Sequence, residues 1–231
     1  WQLYEWRWKQ KHNINSRRSY KQALWLGNES LINKTLLITM EQGFGDYIQF
    51  IRYALLAEQS GAKVILEAPL LLMKLTATLK GHFILIESGK SLPDFDYYCP
   101  VMSLPLAFKT SVETIPAPLS YLYVDEAKKQ QWNKRLGKHV MTRIGLVWAG
   151  NPDHTNDRNR SLLLKQFSSL FTLSFEFHSL QKDIREVDSQ TIMDFPHIYQ
   201  HQDELQDFSD TAALVDAMDV IISVDTSVAH L

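Results

Sequence analysis

The 231-residue chain holds one cysteine, Cys99. A lone thiol excludes an internal disulfide framework and any zinc site built on several cysteines. It suits a reducing compartment, so a cytoplasmic location is expected. Long apolar runs are also lacking. "VILEAPLLLM" is broken by Glu67 and Pro69, well short of the roughly 18 residues that a membrane span needs. Neither sign of charge prevails: 24 Lys and Arg stand against 26 Asp and Glu, a net charge of −2. The basic residues are scattered, which disfavours a nucleic-acid groove. There is no secretory leader, and Trp1 is not a natural start residue, so the chain reads as an excised piece. No internal repeat of 20–50 residues is visible. Gly-x-Ser-x-Gly, a Gly-Lys-Ser/Thr phosphate loop and a His pair at i, i+4 beside a glutamate are all missing. "DFD" at Asp94–Asp96 would share one strand face and suit a divalent ion, but three residues carry little information, and no metal site is expected.

What is present is a regular alternation. "TLLITM", "KVILEA", "HFILIE" and "FDYYCP" read as strands. Between them lie helical patterns at Tyr47–Ser60, with Ile48, Ile51 and Leu55 along one stripe, and at "LLLMKLTATL". Gly61 sits where a left-handed C-terminal cap is expected. The charged stretch "VDEAKKQQWNKRLGKHV" separates this block from a second one. There "RIGLVWAG", "SFEFHSLQ" and "DVIISVD" are strands, "SLLLKQFSSLF" and "DTAALVDAM" are helices, and "TSVAHL" opens another helix. Strands and helices alternating at this spacing predict an α/β fold with parallel sheets covered on both faces. The expected organisation is a lead-in over 1–33 that packs through Trp6, Trp8 and Trp25, then a first domain over 34–125. A linker helix over 126–140 and a second domain over 141–231 follow. Three or four strands are fewer than the usual five or six, so the second sheet is expected to be incomplete.

Three strand-to-helix junctions could carry chemistry. At "EQGFGD", Gly43 and Gly45 would let the backbone turn tightly and approach a ligand, with Asp46 at the N-cap or in the first turn of the next helix. Asp46 either caps that helix or offers a general base to a cleft between domains. Ile48 replaces the third glycine of a dinucleotide fingerprint. At "VWAGNPDHTNDRNRS", Arg158 and Arg160 lie on a polar loop before a helix opening at Ser161. Their guanidinium groups either face phosphate oxygens or simply solvent. At "SVDTSVAHL", Asp225, Thr226 and Ser227 begin a helix after an apolar strand, and backbone N–H groups with two hydroxyls could grip a diphosphate. His230 lies on the same turn, as a structural residue or a ligand contact.

Five blocks in order, "EQGFGDYIQFIRYALL", "CPVMSLPLAF", "RIGLVWAGNPDHTNDRNRS", "HSLQ" and "DFSDTAALVDAMDVIISVDTSVAHL", resemble the heptosyltransferase-like glycosyltransferases of family 9. The branch linked to bacterial tetratricopeptide repeats is the most similar. The resemblance implies a GT-B architecture of two Rossmann-like domains facing each other, acceptor on the first and nucleotide-sugar on the second. It implies that Asp46 is the general base, with Gly43, Gly45 and Gln49 on the acceptor side. Asp225, Thr226, Ser227 and His230 would hold the donor diphosphate, with Arg160 as a looser match. Trp148, Gly150, Asn151 and Gln181 would border the nucleotide. The implied reaction is inverting and metal-independent, with a nucleotide-sugar as substrate and no resident cofactor. A lipopolysaccharide-type sugar or a protein side chain would be the acceptor. Family members also carry repeats before Trp1 and a further helix, strand and final helix beyond Leu231. Two other readings are a non-catalytic binding module of the same fold and a nucleotide-sugar epimerase of the same shape.

Overall fold

Leu36, Leu37 and Ile38 follow one another with no polar residue between them, so a strand made of them must be covered on both faces. In the computed structural model, which describes residues 1–10, 18–41, 43–118 and 120–231, all three are fully buried in strand β2 (Thr35–Thr39). Each such side chain contributes about 1.5–3 kcal/mol by leaving water. The chain divides into two compact units, Trp1–Leu122 and Tyr123–Leu231.

The first unit is built on a five-stranded sheet. Its strands are β1 (Ala23–Leu24), β2, β3 (Lys63–Ala68), β4 (Phe83–Glu87) and β5 (Tyr97–Pro100). They lie in the order β1-β5-β2-β3-β4, and every pair is parallel. The chain therefore steps from β2 outward to β4 and then returns to β2's other side as β5. The Asp96 carboxylate accepts from the Thr35 backbone N–H at 2.8 Å and from Lys34 Nζ at 3.3 Å, fastening the entry of β5 to that of β2.

The helix expected from Tyr47 to Ser60 is two helices, α1 (Phe44–Phe50) and α2 (Tyr53–Gln59). Side chains take the carbonyls that a continuous ladder would use. Arg52 Nε donates to Gln49 O at 2.7 Å, and Tyr121 Oη donates to Ile48 O at 2.8 Å. Arg52 also reaches Pro116 O and Tyr121 Oη. α2 ends as foreseen. Gly61 adopts φ +89°, its N–H bonds to Glu58 O, and that of Ala62 bonds to Ala57 O, the paired pattern that closes a helix on a left-handed residue. The helix expected at Leu70–Leu79 is shorter, a 3-10 turn at Leu70–Leu72 followed by α3 (Met73–Thr76). A 3-10 turn at Val101–Ser103 and α4 (Leu104–Ala107) follow β5.

The lead-in is partly woven into this unit. β1 adds an edge strand, and Trp25 is buried with its indole N–H on Glu29 O. Trp6, expected to pack inward, is 60% exposed beneath Lys9. The inward residue of the 3-10 segment Gln2–Lys9 is Arg7 instead. Its guanidinium meets both carboxylate oxygens of Glu41 at 2.9–3.2 Å, Glu5 at 2.7 Å and Ser103 Oγ at 2.7 Å. A buried charge survives only when paired in this way.

The second unit carries β6 (Arg143–Val147), β7 (Glu176–Ser179), β8 (Ile198–Tyr199) and β9 (Val220–Ser223) in the parallel order β8-β7-β6-β9. Again the chain leaves the first strand on one side and returns on the other. The stretch expected as a linker is helix α5 (Glu126–Leu136), which belongs to this unit. Its Trp132 is buried, and Lys128 bridges to Asp210 and Asp207. The helix expected from Ser161 does not form. Helix α6 (Asp157–Arg160) precedes it, Ser161 is extended, and only 3-10 turns follow, at Leu164–Phe167 and Leu170–Thr172. Neither helix α7 (Ser189–Asp194) nor the two-residue β8 was expected. Helix α8 (Phe208–Asp216), after Asp207, was.

His178 on β7 is fully buried, stacked between Tyr199 and His201, with its Nδ1 3.0 Å from His201 Nε2. Burial first, then the neighbouring His201 and Arg143, push its pKa down to about 3. Burial lowers His201 as well, against Glu204. An unfolded histidine takes a proton near pH 6.5. The stability that comes from keeping the pair neutral is therefore present above pH 6.5 and lost progressively as pH falls towards 3. Thermal unfolding followed by circular dichroism between pH 7.5 and 4.5 should show a falling midpoint, and His178→Gln should flatten that fall.

Candidate functional site

Where strand order reverses in a parallel sheet, neighbouring strands send their following loops to opposite faces and leave a crevice at their carboxyl ends. In the second unit that point lies between β6 and β9, and their following loops meet there. The loop after β6 runs from Trp148 to Ser161. It is drawn back on itself by Leu162 N donating to Trp148 O and Gly150 N donating to Ser161 Oγ, at 2.8 and 2.9 Å. Arg160 then reaches across to the β9 side, donating from Nη1 to Asp225 O at 2.9 Å. Gly150 and Arg160 thus share one corner with Asp225, which is remote in sequence.

The corner depends on a missing side chain. A Cβ on Gly150 would stand 2.6 Å from Arg160 Nη2 and 2.8 Å from its Cζ, so the guanidinium occupies space beside Gly150 that any other residue's side chain would contest. Beneath it is a second arginine that the sequence did not single out. Arg185 donates to Gly150 O at 2.9 Å, to Asp157 Oδ2 at 2.5 Å and to Ser161 Oγ at 3.3 Å. Asp157 is buried and also lies 3.7 Å from Arg160 Nε. Burial raises its carboxyl, but the Ser161 hydroxyl and the two guanidinium groups together outweigh burial and hold it below the ordinary carboxylate range. The corner therefore carries two guanidiniums against one buried carboxylate, and Asp225 is largely exposed at its rim.

The other expected nucleotide-side residues lie beside it with different duties. Gln181, at the end of β7, accepts from the N–H groups of Trp148 and Ala149 through one oxygen, at 3.1 and 3.0 Å, and so braces the β6 terminus. The Trp148 ring is 1% exposed, inside the core, with its N–H on the buried Asp188. Asn151 is exposed, and its side chain accepts from Asp153 N in a local turn. After β9 the expected helix is one 3-10 turn, Ser227–His230, opening at Thr226. Ser223 Oγ lies 3.5 Å from Thr226 Oγ1, and His230 Nε2 lies 3.9 Å from Asp225 Oδ1. The first amides of such a turn have no partner within it.

In the first unit the β2-to-α1 junction places Asp46 in the first turn of α1. Gly43 is the N-cap at φ −62°, ψ 162°, and Gly45 lies inside α1, so the turn uses no left-handed glycine. Asp46 is the third residue of α1, half-buried in its first turn, where a carboxylate is favoured by the helix dipole. A Cβ on Gly43 would lie 3.7 Å from Asp46 Oδ2, ordinary contact, so the carboxylate leans back towards the turn. Gln49 is on α1, with its carbonyl taken by Arg52. Among the described residues, no group of three or more His, Cys, Asp or Glu is arranged to hold a metal ion, and no helix is long and apolar enough to cross a membrane.

No family model matches the chain, and no curated protein matches it. Among solved structures it is similar to the ADP-heptose LPS heptosyltransferase II of E. coli, at 11% identity and a TM-score of 0.46, over 84% of this chain and 80% of the other. A likeness that faint assigns no chemistry to any residue here.

Gly150→Ala should separate the site from the fold. The flexible guanidinium can swing away, so stability should change by less than about 1 kcal/mol. Loss of a charge-assisted contact should weaken pyrophosphate binding about tenfold or more. Calorimetric titration with pyrophosphate beside a thermal melt reads both.

Proposed function

We propose that this chain is a glycosyltransferase of the GT-B type, moving a sugar from a nucleoside diphosphate to an acceptor hydroxyl with inversion and without a metal ion. The observation that carries the reading is the corner in the second unit. Residues from two separate sequence blocks, Gly150 and Arg160 in one and Asp225 in the other, meet where the strand order reverses. When the bond from sugar to diphosphate breaks, negative charge builds on the leaving phosphates. Arg160, with the amides of the turn at Thr226–Val228, is the chemistry that would stabilise it. The resemblance of the five sequence blocks to the family 9 glycosyltransferases supports the same reading.

The other half of the reaction needs a base for the acceptor proton. Asp46 is the residue for that role: a half-buried carboxylate in a first helical turn, at the carboxyl edge of the first sheet. As the acceptor oxygen attacks the anomeric carbon, the bond to the diphosphate breaks and the hydroxyl proton passes to Asp46. A single displacement with one base inverts the anomeric centre and uses no carboxylate nucleophile.

Two measurements test the reading. ADP-, UDP-, GDP- and CMP-sugars should be screened by thermal shift, since a ligand that binds only the folded chain raises its melting point. With the donor so found, Asp46→Asn should lower turnover about 10²- to 10⁴-fold while leaving the donor-induced shift intact, and EDTA should leave wild-type turnover unchanged. A protein that neither binds nor hydrolyses any donor is a binding module instead, and one that alters the donor sugar with no acceptor present is an epimerase.

A further inference from the structure

The first unit has a reversal of its own, between β2 and β5, and a cavity of about 210 Å³ opens there. Thr39 and Glu41 line it from the end of β2, Tyr98 from β5, and Trp8, Arg18 and Tyr20 from the N-terminal segment. We propose that this cavity binds one ring of an uncharged saccharide. The proposal rests on the glycosyltransferase reading and names the chemical class of its acceptor.

Charge decides against an anion. Three carboxylates, Glu5, Glu41 and Glu67, stand in and behind the wall against two guanidinium groups, Arg7 and Arg18. Both cations are ion-paired. Arg7 is bonded to Glu41, Glu5 and Ser103, and Arg18 reaches 2.5 Å from Glu67, a carboxylate only 1% exposed. A phosphate or a sugar acid would lose its hydration and find, among the described residues, only guanidinium groups already paired with carboxylates. A neutral polyol suffers none of this.

The wall is also amphipathic in the way a sugar ring is. Trp8, Tyr20 and Tyr98 offer apolar ring surface, and Tyr20 and Tyr98 hold each other with centroids 4.8 Å apart. The Thr39 hydroxyl both donates and accepts, Glu41 accepts and Arg18 donates. Ring hydroxyls do both, so one saccharide can serve all three while its C–H face lies on the aromatics. The Glu41 carboxylate is held rigid by Arg7 and by Met102 N at 3.1 Å, so no ordering is left for the ligand to impose on it.

The test is a titration of the protein, by saturation-transfer NMR and calorimetry, with the methyl glycosides of glucose, galactose, mannose and N-acetylglucosamine. Glucuronate, glucose 6-phosphate and adenosine are run beside them. At least one neutral glycoside should bind in the millimolar range, at least tenfold more tightly than either anion or adenosine. Tyr20→Ala and Thr39→Val should each weaken that binding, Tyr20→Ala by about tenfold, while the donor-induced thermal shift stays unchanged. The inference is overturned if no neutral glycoside binds, if an anion or adenosine binds better, or if neither substitution matters. A donor that binds while glycosides do not removes this subsite and leaves the glycosyltransferase reading standing. Glycosides that bind while no donor does remove that reading, and with it the acceptor assignment.

Discussion

Both units obey one constraint: parallel strands joined through crossovers must reverse their spatial order somewhere. In the first sheet the reversal lies beside β2 and in the second beside β6. Crossovers of one hand then send the chain to opposite faces on the two sides of that strand, and a crevice remains at its carboxyl end. Neither crevice needs a special residue to exist. What the sequence adds is the furniture around it. Arg160 on the Asp225 carbonyl in one unit, and Glu41 under Arg7 in the other, both occupy such an end.

The polar furniture is braced from below. Apolar packing of β6 and β7 through Leu146, Trp148 and Phe177 fixes the sheet but says nothing about the loops above it. Their shape comes from buried polar groups with several partners each. Asp188 takes the Trp148 indole and the Leu164 amide, Gln181 takes two amides, and Arg185 ties Gly150, Asp157 and Ser161. Leaving any of these groups unpaired would cost about 1–3 kcal/mol, more for the charged ones. That penalty selects one loop conformation over the many that packing alone would accept.

Periodicity and apolar runs were enough to find most of the strands, because a strand buried on both faces leaves an unbroken mark such as "TLLIT" or "RIGLV". They were not enough for β8, whose two residues carry no period, nor for the turns after Ser161. There a helical pattern yields to the bonds of Ser161 with Asp157 and of Leu164 with Asp188. The corner residues Gly150, Arg160 and Asp225 were legible from their positions after strands. Arg185 was not: it lies after β7, away from every motif, and only tertiary folding brings it under Gly150. Trp148 borders the nucleotide only as the resemblance implies; its ring is buried in the core.

The interruption at Ile51 and Arg52 has a mechanical meaning. A continuous helix transmits rotation along its length, but here the Arg52 and Tyr121 side chains hold the Gln49 and Ile48 carbonyls and a tight three-residue step at Ala54 replaces the regular ladder. The later segment is anchored by Tyr53, Ala54 and Ala57 in the core. The earlier one, seven residues long, is anchored too, by Tyr47 and Ile48. The break therefore sits between two core-bound segments, and the Arg52 and Tyr121 side chains supply the hydrogen bonds that the interrupted ladder gives up.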